Sequence, residues 1–221
     1  MPKETFLQLT EDKRNQFVDA FLREFTLNNY DEASISRTMK ELKMAKGSFY
    51  QYFENKLELF QYLQQTCGTT KAIYVQNVER NEFEDFWDYW RELYQRGLQF
   101  DRDHPKQSNF LYSLHKNMNS PSLRPMYQMW HNQVISAMEM LIKPEVEKGH
   151  FRNDVPLRNL AFFFFGVSNQ MVELIRLNDG GAMEENVKNG RPIFANGNDE
   201  MLLKALENNI RMLSAAMKNQ Q

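Results

Sequence analysis

Ser34-Ile35-Ser36-Arg37-Thr38-Met39-Lys40-Glu41-Leu42-Lys43-Met44-Ala45-Lys46-Gly47-Ser48-Phe49-Tyr50-Gln51-Tyr52-Phe53-Glu54-Asn55-Lys56 reads as a short helix, a tight turn and a second short helix. Ile35, Met39 and Leu42 recur at helical spacing, so one face of the first helix can be buried. Met44, Phe49 and Phe53 supply matching apolar groups from the second part. Lys46, Gly47, Ser48, Tyr50, Gln51 and Tyr52 mix hydrogen-bond donors with rings. Two small helices joined by a three- to four-residue turn form a helix-turn-helix, whose second helix enters the DNA major groove.

The totals frame this stretch. At 221 residues the chain holds one large or two modest domains, and 42% hydrophobic with 25% charged residues is ordinary globular composition. The start, Met-Pro-Lys-Glu-Thr-Phe, is polar and carries no apolar h-region, so no signal peptide is expected. The longest apolar run, Leu160 to Val167, is eight residues, against roughly 20 for a bilayer span. One cysteine, Cys67, cannot form an internal disulfide; a reducing cytoplasm is the expected home, and an ordinary cysteine is a better reading than a sensor thiol. Net charge is −2, yet Ser34–Lys56 holds five basic against two acidic residues. A focused basic patch on an acidic protein suits a site-specific reader of nucleic acid, although a solvated helix face would carry the same charge.

Helical periodicity runs along the whole chain, so the expected class is all-α, with about nine helices. A first helix starts near Thr10 and carries Phe17, Phe21 and Phe25 to about Leu27, with Asn28 and Asn29 suited to a left-handed C-terminal turn. Ser34 is an N-cap candidate for the second helix, Lys46–Tyr52 is a third, and a long segment opens at Lys56 and continues to about Arg80. Further helices are expected over Phe83 to Pro105, Gln107 to Asn117, Leu123 to Ile142 with Pro144 kinking or restarting it, and Arg158 to Leu177, apolar nearly all round. Asn178 to Asp199 reads as a long mobile loop, and a last helix from about Glu200 repeats Leu202, Leu206, Ile210, Leu213 and Met217.

Enzyme chemistry finds little support. His104, His115, His131 and His150 are scattered without metal-ligand spacing, and no nucleophile elbow, Walker or dinucleotide motif is present, so no catalytic residue, metal or cofactor is expected. DNA-reading chemistry is better supplied. Lys46 can donate to guanine O6 and N7, Gly47 lets backbone approach the groove, and Ser48 can reach base or phosphate. Tyr50 and Tyr52 either offer hydroxyls to phosphates or pack on the first helix; composition leaves both open. Lys56, opening a helix after a break, can join its backbone N–H groups in gripping a phosphate.

Residues 34–59 resemble the DNA-binding signature of the tetracycline-repressor (TetR) family of bacterial transcription regulators. The match is Lys46 to Phe53, followed by Lys56 and Leu59 in the family's spacing, with Tyr30, Ala33, Ser34 and Ile35 fitting the preceding corner. Lys148 to Pro156 looks like the family's entry to its dimerisation helices. One departure stands out: the turn usually has Ala-Gly where this chain has Leu42-Lys43, so Lys43 either bears the strain that glycine avoids or the turn differs.

The resemblance implies a helix-turn-helix domain over residues 1–55 and a ligand-binding and dimerisation domain over 56–221. It implies a homodimer on a palindromic double-stranded operator, acting as a repressor released by a small hydrophobic or aromatic effector. An activator or ligand-independent regulator of the same fold, or a helical carrier or enzyme, are the alternatives. By position, Lys46, Gly47 and Ser48 face bases, while Ser34, Arg37, Tyr50, Tyr52 and Lys56 hold phosphates. The pocket is expected among Trp87, Trp90, Tyr94, Phe110, His115, Met126, Trp130 and Asn169. The last two long helices would pair with their copies through Phe162, Gly166, Gln170, Leu202, Leu206, Ile210 and Leu213; packing inside one chain is the competing account of the leucine stripe.

Overall fold

Helices account for nearly all regular structure in the chain. The computed structural model describes residues 1–117, 120–195 and 198–219, leaving aside the side chains of 115, 116, 198 and 199, so the His115 side chain lies outside the described residues. In order the α-helices are α1 (Glu4–Leu7), α2 (Glu11–Leu27), α3 (Ile35–Glu41), α4 (Lys46–Tyr52), α5 (Lys56–Val75) and α6 (Phe86–Asp103). They continue with α7 (Pro105–Ser113), α8 (Arg124–Glu147), α9 (Leu157–Asn178), α10 (Ala182–Lys188) and α11 (Asn198–Met217). Two 3-10 turns, Arg80–Glu82 and Leu114–Asn117, complete the helical structure of the described residues. The all-α class stands, with eleven α-helices among the described residues against about nine expected.

Two compact units emerge. The first comprises Met1–Asn77, Gln99–Ser122 and Asn186–Ile193; the second comprises Val78–Leu98, Leu123–Glu185 and Phe194–Gln221.

The first unit is built on phenylalanine. Phe17, Phe21 and Phe25 of α2 are each 1% exposed, one helical turn apart. Phe17 packs on Phe53 (ring centroids 6.0 Å), Phe21 on Phe49 (5.8 Å) and Phe25 on Phe60 (5.1 Å), so one stripe of α2 holds α4 and α5 together. Each such ring contributes about 1.5–3 kcal/mol by leaving water. Phe110 of α7 is fully buried against Phe60 (5.5 Å) and Phe25 (6.5 Å). Beneath α7, the Asp101 carboxylate is 1% exposed and accepts from the hydroxyls of Ser108 (2.6 Å) and Tyr112 (3.2 Å). Burial raises its pKa, while nearby Lys71 and these hydrogen bonds work against the rise. Cys67 is buried in α5, and burial pushes its thiol up to about 12, far from the thiolate a redox sensor needs.

In the second unit α9 packs against α8 and α11. α9 is long and apolar enough by composition to cross a membrane, and a third of its most apolar window is buried within the chain. The expected all-round burial is corrected: Leu160, Ala161, Phe164, Met171 and Ile175 face inward, whereas Phe162, Phe163, Leu174 and Leu177 are exposed. A ring cluster of Phe86, Trp90, Phe151 and Phe164 fills the interior, with Trp90 to Phe164 at 4.7 Å and Phe86 to Phe151 at 5.1 Å. The buried Glu145 carboxylate accepts from Arg80 Nε (2.9 Å) and pairs with His150 Nδ1 (2.8 Å). Burial works to raise its pKa, but these partners more than offset that and hold it below the usual carboxylate range. The carboxylate stabilises the fold above its unfolded pKa, a contribution lost as acid protonates it.

Several expected boundaries moved. The long segment from Lys56 stops at Val75, short of Arg80, and α8 continues through Pro144 to Glu147. The expected 178–199 loop instead contains α10, with α9 reaching Asn178 and α11 starting at Asn198. Four glycines hid a seven-residue helix there, because Gly180, Gly181 and Gly190 sit just outside its ends with φ of 64°, 90° and 67°. Asn28 closes α2 in an extended conformation (φ −116°), not a left-handed one.

The leucine stripe of α11 is the largest correction. Leu202, Leu206, Ile210, Leu213 and Met217 are between 0% and 5% exposed within a single chain, so they are core and not an open interface. Leu206→Ala should therefore lower the unfolding free energy by about 2–5 kcal/mol in urea titration, the cost of a core cavity, rather than merely release a partner.

Candidate nucleic-acid interface

The turn between α3 and α4 follows from backbone hydrogen bonding. Lys43 N–H donates to the Lys40 carbonyl (3.0 Å) and Met44 N–H to the Met39 carbonyl (2.9 Å), the two bonds of a Schellman cap. The same pair of bonds ends α8 at Gly149 and α10 at Gly190, whose φ values are 77° and 67°. At the α3 cap the left-handed residue is Lys43, φ 56°, so a lysine occupies a conformation that two other helices of this chain give to glycine. Lys43 bears the strain and the turn keeps its ordinary shape.

Following the turn, α4 divides cleanly. Phe49 and Phe53, just past its end, are fully buried and Tyr52 is 8% exposed. Lys46, Gly47, Tyr50 and Gln51 are exposed, and their spacing of three and four places them on one face. Ser48 is half-buried. A Cβ built on Gly47 would meet no other atom within 4 Å, which leaves that side of the helix open to an approaching surface. Of the two tyrosines left open by composition, Tyr50 is the surface one, 47% exposed. The Tyr52 ring packs on Phe17 (5.6 Å) and Phe6 (5.9 Å).

The corner before α3 is held by charge. Ser34 caps α3, its hydroxyl accepting from Arg37 N–H at 3.3 Å. The Glu24 carboxylate, 8% exposed, accepts from Ser34 N–H (2.7 Å) and from the Arg37 guanidinium, with Arg37 Nε at 3.1 Å. Ser34 and Arg37, two of the five residues expected at phosphates, are thus oriented by one acid on α2. Lys56 Nζ donates to the carbonyls of Tyr30 (2.6 Å) and Ala33 (3.1 Å) and lies 4.5 Å from the Tyr30 ring centroid. Burial lowers its pKa, opposed by Asp31 and Glu24. Its ammonium is committed to the corner. At the start of α5, Asn55 caps by accepting from Glu58 N–H.

Sequence reasoning missed the N-terminal arm. Lys3 N–H donates to the Tyr52 carbonyl and Lys3 Nζ to the Tyr50 carbonyl, both at 2.8 Å, while the Thr5 hydroxyl donates to the Gln51 carbonyl. Three end carbonyls of α4, which no further turn would satisfy, are closed from α1. Phe6 anchors the arm, fully buried against Phe53 (4.9 Å), Phe17 (5.4 Å) and Tyr62 (5.7 Å). The available signal was one aromatic residue in a polar leader, too little to set a period.

The expected pocket residues divide between the units. Trp87, Trp90, Tyr94, Met126, Trp130 and Asn169 belong to the second unit, but Phe110 is core of the first. Trp90 and Met126 are buried, Trp87, Tyr94 and Trp130 half-buried, and Asn169 is exposed, so Asn169 does not share an interior with the rings. The Tyr94 hydroxyl lies 3.5 Å from the Ser168 carbonyl. A cavity of about 360 Å³ in this unit is lined by Gln128, His131, Asn132, Ile135, Arg158, Asn159 and Phe162, none of them from the expected set. Of the expected interface, Phe162 and Gln170 are exposed and Gly166 half-buried, unlike the leucine stripe.

Residues 17–63 match the family model described as bacterial regulatory proteins, tetR family. No curated protein matches the chain. Among solved structures, the chain is similar over its whole length, and over all of the other chain, to a TetR family transcriptional regulator from Chloroflexus aurantiacus, at 25% identity and a TM-score of 0.77. It also shares the fold of the fatty acid degradation regulator FadR from Bacillus halodurans (17% identity, TM-score 0.66, 96% of this chain and 100% of that one). FadR from Bacillus subtilis, solved in complex with stearoyl-CoA, has the same fold (14% identity, TM-score 0.66, 92% and 98% covered).

Two substitutions test the local physics. Lys43→Gly should stabilise the protein by about 0.5–1 kcal/mol in urea titration by relieving the left-handed residue. Phe6→Ala should destabilise it by about 3–5 kcal/mol.

Proposed function

We propose that this chain, which belongs to the tetR family of bacterial regulatory proteins, is a cytoplasmic repressor that binds a palindromic operator as a homodimer and is released by a small hydrophobic effector. The observation that carries the reading is the division of α4: buried Phe49, Tyr52 and Phe53 seat a face on which Lys46, Gly47, Tyr50 and Gln51 are exposed. Lys46, Gly47 and Ser48 read base edges, Lys46 by donating to guanine. Tyr50 and Arg37 hold phosphates, and Ser34 fixes the corner that presents Arg37. Lys56 acts through the corner that its ammonium closes and through the backbone N–H groups at the start of α5. Tyr52 serves from its hydroxyl end, its ring being held on Phe17.

Residues 1–55 form the reading domain and 56–221 the effector-binding and pairing domain. Pairing uses the exposed apolar residues Phe162, Phe163, Leu174 and Leu177 of α9 with Met201 and Met212 of α11, since the leucine stripe is internal. Such a face on a free chain would be an unusually large exposed apolar area. Two-fold symmetry places the two reading helices about 34–36 Å apart, one turn of DNA. An effector that prefers one state shifts α5 and that separation. Two relatives of the same fold are fatty acid degradation regulators, one holding stearoyl-CoA, which makes a long-chain acyl-CoA the first effector to test.

Gel-shift titration against the DNA upstream of the chain's own gene is the test. Tyr50→Ala should weaken binding uniformly across sequences, whereas Lys46→Ala should cost about 1–3 kcal/mol and relax base preference. Stearoyl-CoA should release the complex. Unchanged affinity in both variants would overturn the reading.

A further inference from the structure

Lys43 alone among the non-glycine described residues has a positive φ, 56°. The left-handed region is disfavoured for L-residues, apart from Asn and Asp, whose short side chains bond locally. Two other helices of this chain end on the same pair of backbone bonds with glycine in that place, Gly149 and Gly190. Both bonds at the α3 cap, from Lys43 N–H to the Lys40 carbonyl and from Met44 N–H to the Met39 carbonyl, use backbone alone, so glycine would keep them. Nothing inside the chain uses the lysine: its side chain is exposed, and its ammonium makes no ion pair or hydrogen bond among the described residues. Backbone strain of this kind gathers at binding and switching sites, where the residue serves something other than the fold.

Position and charge say what the lysine meets. Between Ser36 and Gln51 the basic residues are Arg37, Lys40, Lys43 and Lys46, all exposed, and the acidic one is Glu41. Three lysines at steps of three thus run from the end of α3 to the start of α4. Lys46 opens α4, and three residues of chain hold the Cα atoms of 43 and 46 within about 11 Å. A major groove is about 12 Å wide between its phosphate backbones, and the second helix of such a pair reads bases with its N-terminal residues. With Lys46 at the base edges, a long side chain on the turn reaches the rim of the groove. An ammonium on a flexible stem is a point charge with three rotatable donors, which suits a phosphate oxygen and demands no fixed fork geometry.

We propose that Lys43 is a DNA-backbone contact, its ammonium held by a phosphate at the rim of the groove that α4 enters. The left-handed lysine is kept for that charge, so one residue sets fold stability against operator affinity. This inference rests on the reading of α4 as the DNA-facing helix and adds a contact to it.

Gel-shift titrations on the DNA upstream of the chain's own gene, repeated over a range of salt concentrations, test it in three variants. Lys43→Gln keeps the strain and removes the charge, Lys43→Gly removes both, and Lys43→Arg keeps both. Lys43→Gln and Lys43→Gly should each weaken binding at least about fivefold near ~0.1 M salt, and the slope of log affinity against log salt should become shallower by about 0.9 for each chain on the DNA. Lys43→Arg should retain affinity and slope. Base preference, read with mutated competitor DNA, should not change in any of the three, and only Lys43→Gly should raise the urea midpoint of the free protein. Full affinity and slope in Lys43→Gln overturns the assignment, as does an equal loss in Lys43→Arg or an altered base preference in Lys43→Gln. Weakened Lys46→Ala and Tyr50→Ala beside an unchanged Lys43→Gln sinks this contact alone, whereas no loss in any variant sinks the reading of α4 with it.

Discussion

Everything α4 presents depends on Phe49 and Phe53 being locked among the rings of α2. With only seven residues, α4 is far too short to be stable in isolation. Its conformation comes from burial: Phe49 against Phe21 and Phe53 against Phe17, both fully enclosed. Because these anchors and the exposed Lys46, Gly47, Tyr50 and Gln51 share one short helix, the packing that stabilises the buried face also aims the open one. Closing the carbonyls of Tyr50, Gln51 and Tyr52 from Lys3 and Thr5 gives the helix a firm end.

A second layer of control is electrostatic. Glu24, on the same helix as the phenylalanine stripe, ties the N-cap of α3 and Arg37 to one carboxylate. Lys56 does the corresponding work from α5, donating into the Tyr30 to Ala33 corner. An ammonium so placed gives up solvation but gains two carbonyls and a ring face. The consequence is that the Lys56 ammonium shapes the corner, while Tyr50 remains on the surface. Lys43 shows the opposite trade, a small local strain left in place at the turn before α4 by an exposed lysine.

Legibility in the sequence tracked periodicity. The boundaries of α2 and α4 were readable because the phenylalanine spacing and the small-basic-aromatic run are dense local patterns. Short helices without a stripe were not: α1 has one buried side chain, Phe6, and α10 is flanked by glycines that look like loop composition. The leucine stripe of α11 was visible but its destination was not. Spacing says that a face is buried; it is silent on whether α9 of the same chain or a partner covers it. Phe110 shows the same limit of the pocket expectation, since it is as apolar as any pocket ring and only its contact with Phe25 and Phe60 shows that it is core of the first unit.

The sequence by itself determined the helical class and the helix-turn-helix pattern, because each follows from neighbours within a few positions. Tertiary structure alone decided what Lys56, Tyr52 and Glu24 are packed against and bonded to, how the Lys43 turn is made, and which apolar stripe is core. It also brought Phe25 of α2 against Phe110 of α7, ring centroids 6.5 Å apart. Partners so far apart in the chain leave no local pattern; they meet only when helices pack.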